Sequence, residues 1–260
     1  MSTFAGSDQV PVPYAETPEQ FARNLDAVKE RIDSARSRAG RLDDVRLLPV
    51  SKTVPAERIR AAIQAGAHQL GENKVQEAHL KWAELRETGV EWSVIGHLQT
   101  NKAKLVAEFA TEFQALDSIR VAQALDRRLQ TAGRSLDVFV QVNTSSEQSK
   151  FGLEPGVVAA FLAELPAYQS LRVRGLMTLA VFSPDRVLVR ACFQRLRALR
   201  DALRESASDG VELDELSMGM SGDFELAIEE GATVVRVGQA IFGARAQPDS
   251  YYWPEQATGA

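Results

Sequence analysis

The sequence switches eight times between a short run of β-forming residues and a longer segment with apolar residues at helical spacing. The runs fall at 46–51, 69–71, 92–96, 112–116, 137–142, 172–177, 215–218 and 233–237. Between them lie helical stretches at 55–65, 74–87, 101–109, 119–132, 155–164, 185–206 and 223–230. Strands separated by helices return in parallel, because a parallel return needs a crossover. Eight such units in about 200 residues fit a closed barrel better than an open doubly wound sheet, which stays as the alternative. The expected fold class is therefore α/β, a single (β/α)8 TIM barrel.

An extra helix precedes the alternation. Thr17 stands as its N-cap and Pro18 at its first position, followed by Phe21, Leu25, Val28 and Ile32 at helical spacing, with Gly40 closing it. Gly66 and Gly231 read as C′ residues, and Thr53 and Asn73 as N-caps of the helices that follow them. The expected division is a flexible leader at 1–16, the barrel with its N-terminal helix at 17–245, and a tail at 246–260. The leader lacks the basic and apolar regions of a secretory signal.

Function in such a barrel gathers where the strands end. The polar residues there are Ser51, Lys52 and Thr53; Glu72 and Asn73; His97; Asp117 and Ser118; Asn143 and Thr144; Thr178 after Met177; the 217–221 segment; and the segment from Arg236 to Gln239. Lys52 follows an apolar strand. Burial would lower its pKa and leave an amine able to attack an aldehyde, or its stem would snorkel to solvent. Ser217-Met218-Gly219-Met220-Ser221-Gly222-Asp223 passes from strand to helix through small residues, which makes either an anion site or a serine-capped tight turn. Arg236-Val237-Gly238-Gln239 ends the last strand, where barrels often hold phosphate; a structural ion pair is the other reading of Arg236.

Composition excludes several classes. A net charge of −5 gives no field for nucleic-acid backbones, and no apolar run approaches a membrane span. The arginines at 190–204 read as the wet side of a helix rather than a binding patch. One cysteine, Cys192, forms no intramolecular disulfide, lies in an apolar pattern and suits a cytoplasmic location. The three histidines fall at no zinc spacing, so no metal is expected. Gly66 to Gly71 has P-loop glycine spacing, but Glu72 stands where lysine is required. His97 reads as a proton carrier or as a hydrogen-bonded structural residue.

Taken together, Ser51-Lys52-Thr53, Gly71-Glu72-Asn73, Gly96-His97-Leu98-Gln99-Thr100-Asn101-Lys102, Ser149-Lys150-Phe151-Gly152, Gly175-Leu176-Met177, the 217–223 segment and Val235-Arg236-Val237-Gly238-Gln239 resemble the YggS/PROSC-type pyridoxal phosphate homeostasis proteins. The likeness runs in order over residues 20–245. It implies a fold-type III barrel that binds pyridoxal 5′-phosphate (PLP), similar to the N-terminal domain of alanine racemase, with a Schiff base on Lys52. It implies that Arg236 faces the pyridine nitrogen, that Ser217, Ser221, Gly238 and Gln239 hold the phosphate, and that Asn73 and Met177 flank the ring. An arginine at that nitrogen disfavours its protonation and weakens the ring as an electron sink. The expected role is thus a non-catalytic PLP carrier, a monomer or weak homodimer, that supplies PLP-dependent apoenzymes. The alternative is an amino-acid racemase. Racemases of this fold complete their site with a second domain, and the 20 or so residues after the last strand are too few for one. Lys150 is a further candidate for transient contact with the cofactor, against a solvated loop lysine.

Overall fold

The structure, a computed structural model, describes residues 14–145, 147, 151–205 and 210–243. After α1 (Pro18–Arg38) the chain runs β1 (Arg46–Pro49), α2 (Ala56–Gln64), β2 (Gln69–Glu72), α3 (Val75–Leu85), β3 (Glu91–Val94), α4 (Ala103–Phe109), β4 (Glu112–Leu116), α5 (Ile119–Ala132) and β5 (Leu136–Gln141). It continues through α6 (Val158–Glu164), β6 (Leu171–Met177), α7 (Arg186–Arg204), β7 (Val211–Ser217), α8 (Phe224–Glu229), β8 (Val234–Val237) and α9 (Gln239–Phe242).

All eight strands pair in parallel, in the order β1-β8-β7-β6-β5-β4-β3-β2. A bridge between Val50 and Gly71 joins β1 to β2, reinforced by the Ser51 N–H donating to the Gly71 carbonyl at 3.0 Å. That contact closes the barrel. Between strands and helices lies a continuous apolar shell that includes Trp92, Phe113, Phe139 and Phe193, each no more than 1% exposed; burying a side chain of this size contributes about 2–3 kcal/mol.

The extra helix begins as its sequence dictates. Thr17 and Gln20 form a reciprocal capping box with Pro18 at the first position. Its buried face, Phe21, Leu25, Val28, Ile32 and Ala35, packs against α2, α8 and α9, and Asn24 donates to the Ile241 carbonyl at 2.8 Å. The chain docks before the helix starts: Ala15 is buried, its carbonyl accepts from Arg58 Nε at 2.8 Å, and the Arg58 guanidinium lies 3.6 Å from the centre of the Tyr14 ring. Tyr14 and Ala15 thus contact α2 through Arg58.

Gly66 and Gly231 end helices in left-handed conformations, with φ of 102° and 99°. The N-caps expected at Thr53 and Asn73 are corrected: α2 is entered through Pro55 and α3 through Lys74, neither with a side-chain capping bond. Thr53 is drawn elsewhere, since its N–H donates to Glu77 Oε1 at 2.7 Å. β7 starts four residues earlier than its sequence suggested, because Glu212 and Asp214 interrupt the apolar alternation of Val211 and Leu213 on the solvent side. The four-residue α9 is too short to leave a periodic signal. The tail at 246–260 lies outside the described residues, as do Ser149 and Lys150.

Candidate functional site

Lys52 sits in the turn after β1, partly buried. Along this strand Arg46 points into the barrel, where it meets Glu112, so strand alternation directs Leu48 to the same inner side, and the strand ends at Pro49, ahead of Lys52. The turn is held from outside the barrel. Lys81, on the inner face of α3, donates to the Ser51 carbonyl at 2.8 Å, to Glu72 Oε1 at 2.5 Å and to Glu77 Oε1 at 2.7 Å. The Ser51 hydroxyl donates to Glu72 Oε1 at 2.8 Å. Beside Lys52, Thr53 is the one described non-glycine residue with positive φ, at 66°. A β-branched residue is strained there, and the bond to Glu77 holds it in place. Lys81 and Glu77 thus fix the main chain on either side of Lys52.

Burial raises the Glu72 carboxyl to about 7; the Lys81 charge opposes that rise, and Glu77 adds to it. Because the folded state then holds this proton more tightly than the unfolded chain, Glu72's contribution to stability falls as pH rises from about 4.5 to about 7. Glu72→Gln is expected to remove that slope. Urea unfolding across the window should show wild type losing stability relative to the variant, by at most a few kcal/mol at ~1.4 kcal/mol per unit; parallel curves would contradict the assignment.

Arg236, on β8, is 3% exposed and lies inside the barrel. Nη1 donates to Ser217 Oγ at 2.7 Å and Nη2 to the Thr178 carbonyl at 2.8 Å. Its hydrogen-bond acceptors among the described residues are neutral, so the ion-pair reading of this arginine does not describe it. Burial lowers the guanidinium to about 10, offset in part by the charges of Asp223 and Glu112, and it stays charged at neutral pH.

The third part of the site is the turn after β7 with the end of β8. Gly219 has φ of 94°, and an added Cβ there would stand 2.8 Å from Phe224 Cα. Asp223 closes the turn by accepting from the Met220 N–H at 2.5 Å. Ser221 Oγ accepts from the Gly238 N–H at 3.2 Å, which joins the two loops. Gly238, just past β8, also packs against the residue leading into the lysine turn: a Cβ there would lie 3.1 Å from the Val50 carbonyl. Gln239 begins α9 and is exposed, and a residue at a helix start has no acceptor for its N–H within the helix.

The structure therefore brings Lys52, Arg236, Ser217, Ser221, Gly238 and Gln239 to the ends of three neighbouring strands, β1, β8 and β7. Met177, fully buried, ends β6 beside Ser217. Asn73 follows β2 and packs its main chain over Gly96. His97 and Asp117 stand 3.8 Å apart, too far for a hydrogen bond, and His97 stacks on Phe151 at 4.2 Å. A cavity of about 380 Å³ lined by Tyr168, Arg172, Arg174 and Glu212 lies at the opposite end of the barrel and contains none of these residues. The arginines of α7 are engaged: Arg190 and Arg197 pair with Glu230, Arg204 with Asp214, and Arg195 donates to the Thr144 carbonyl. Cys192 is buried beneath them. Among the described residues no group of His, Cys, Asp or Glu could hold a metal, and no helix is long and apolar enough to cross a membrane.

This closed parallel barrel belongs to the class of the alanine racemase N-terminal domain, whose family model matches residues 23–246. The fold is shared with alanine racemase of Clostridium difficile (TM-score 0.69, 15% identity, covering 94% of this chain and 61% of that one). A solved structure of PipY from Synechococcus elongatus, described with PLP bound, superposes with a TM-score of 0.76 at 35% identity, covering 86% of this chain and 100% of that one. The pyridoxal phosphate homeostasis protein of Escherichia coli K12 is 43% identical over 232 residues, 86% of this chain and 97% of that relative. The chain belongs to the family of pyridoxal phosphate homeostasis proteins.

Proposed function

We propose that this chain holds PLP for vitamin B6 homeostasis, binding it covalently through Lys52 and releasing it to PLP-dependent apoenzymes in the cytoplasm. The observation that carries this reading is the adjacency of β1 and β8. They place a lysine turn fixed from behind, a buried arginine without a described carboxylate hydrogen-bond partner, and a glycine-lined loop pair side by side. Those parts fit the cofactor's three handles. When bound, PLP supplies an aldehyde that a lysine amine captures with loss of one water.

Lys52 presents the amine. Lys81 cannot replace it, since its three ammonium protons face three acceptors inside the helix layer. Arg236 faces the ring nitrogen. Its fixed charge disfavours protonation there, which restrains carbanion chemistry and favours a holding role over a racemase. The Gln239 N–H and the Ser221 hydroxyl proton take the phosphate, and Gly238 joins the same cradle by holding Ser221 Oγ with its N–H. Asn73 and Met177 flank the ring. We assign Ser217 to Arg236 rather than to the phosphate, because its hydroxyl proton is donated to Gln114 Oε1 at 2.7 Å.

The test is to add PLP to the purified protein, reduce with borohydride and map the added mass. The expected outcome is one label on Lys52, together with no L-to-D alanine turnover by the same sample. A protein that takes up no PLP ends the binding reading; Lys52-dependent racemisation ends the carrier reading.

A further inference from the structure

The barrel interior holds a continuous chain of polar side chains reaching from its N-terminal end to Arg236. Arg46 Nη2 donates to Glu112 Oε2 at 2.6 Å. Glu112 Oε1 accepts from Ser93 Oγ at 2.6 Å and from Gln114 Nε2 at 2.7 Å. A carboxylate only accepts, so Gln114 must turn its NH2 toward Glu112 and its oxygen toward Ser217. Ser217 Oγ donates to that oxygen at 2.7 Å. A serine has one proton, and with it committed Ser217 can only accept from Arg236 Nη1. Each bond thereby fixes the sense of the next. Gln114, Ser217, Glu112 and Arg236 are all at most 5% exposed.

We infer that Glu112 and Gln114 are positioning residues for Arg236: together they lock the Ser217 hydroxyl as an acceptor and aim the guanidinium at the barrel mouth. The second acceptor, the Thr178 carbonyl on the far side, completes a two-point grip that fixes the guanidinium plane. Thr178 is itself held, its hydroxyl donating to the Val142 carbonyl at 2.7 Å. Without the carboxylate, Gln114 is free to rotate its amide, the serine proton is free to turn toward Arg236, and two donors then oppose each other. The charged groups acting on Arg236 are Glu112 from β4 and Asp223 from the turn before α8; at the other end of the chain Arg46 pairs with both Glu112 and Glu215. What the aim of Arg236 is for rests on the PLP reading above; the aim itself does not.

The experiment therefore has two arms. In cofactor-free protein, the Arg236 guanidinium N–H signals, assigned with Arg236→Lys, are expected to be resolved by NMR in wild type and to collapse in the near-isosteric Gln114→Met. Unchanged signals overturn the inference whatever the cofactor does. In PLP-loaded protein, Glu112→Gln and Gln114→Met are expected to keep the Lys52 label while weakening PLP binding about tenfold. They are also expected to raise the pH at which the adduct absorbance titrates by about one unit, because a poorly aimed charge opposes ring protonation less. Variants that lose only thermal stability, with wild-type titration and affinity, show a merely structural chain and overturn the inference. Failure of wild type to label removes the PLP reading, and the first arm then decides the positioning role alone.

Discussion

Lys52→Ala is expected to abolish borohydride-fixed PLP labelling while leaving the fold intact. The loss is complete because the described lysines near the site are otherwise committed or misplaced. Lys81 spends its protons on Ser51, Glu72 and Glu77, and Lys74 caps α3 in solvent. Stability is spared because the clamp grips the Ser51 carbonyl and the Thr53 N–H, main-chain groups that alanine at 52 keeps. Phosphate-end binding persists, so PLP should still associate reversibly but more weakly. Intact-mass spectrometry of wild type, Lys52→Ala and Lys74→Ala after reduction gives the answer. A label of wild-type stoichiometry on Lys52→Ala would show that another amine carries the cofactor.

The parts of this site differ in how plainly the sequence shows them, and the reason is physical. β4 and α5 fall at 112–116 and 119–132 as read, because a short β-forming run, a polar break at 117–118 and a regular helical stripe all lie within one stretch of chain. Lys52, Ser221, Arg236 and Gly238 could be singled out because a strand end is a local feature. Lys81 left only a trace: it stands in the buried stripe Val75, Ala78, Lys81, Leu85, where a charge requires compensation. Part of that compensation, Glu77, lies one turn back on α3, but Glu72 and the Ser51 carbonyl come from other elements. Glu112 and Gln114 alternate with Phe113 and Ala115 in a strand covered on both faces. The alternation signals a polar barrel interior, but only the closed topology shows that this interior leads to Ser217 and Arg236. The partner of Ser217 was hidden for the same reason, since its hydroxyl donates to a residue 103 positions away.

The closed topology also sets the largest stability effect expected in the molecule, at Gly175→Ala. Gly175 lies in β6 opposite Glu215 of β7, next to a register shift. A Cβ built on it would stand 1.8 Å from the Glu215 carbonyl oxygen and 2.6 Å from its carbonyl carbon. Both obstacles are main chain of a central strand, so no side chain can swing away. Ordinary overpacking costs about 1–3 kcal/mol because neighbours shift; here relief requires parting β6 from β7, and a loss of at least about 4 kcal/mol is expected. The same parting would move Ser217, which pairs with Met177 two residues further along, and with it one of the two acceptors that hold Arg236. Gly175→Ala should therefore lose PLP binding in whatever fraction still folds. Gly156→Ala, with nothing within 4 Å of the added carbon, is the matched control. Urea midpoints for the two variants decide the matter: a Gly175→Ala protein within about 1 kcal/mol of wild type would mean that β6 and β7 do not approach as closely as this barrel requires.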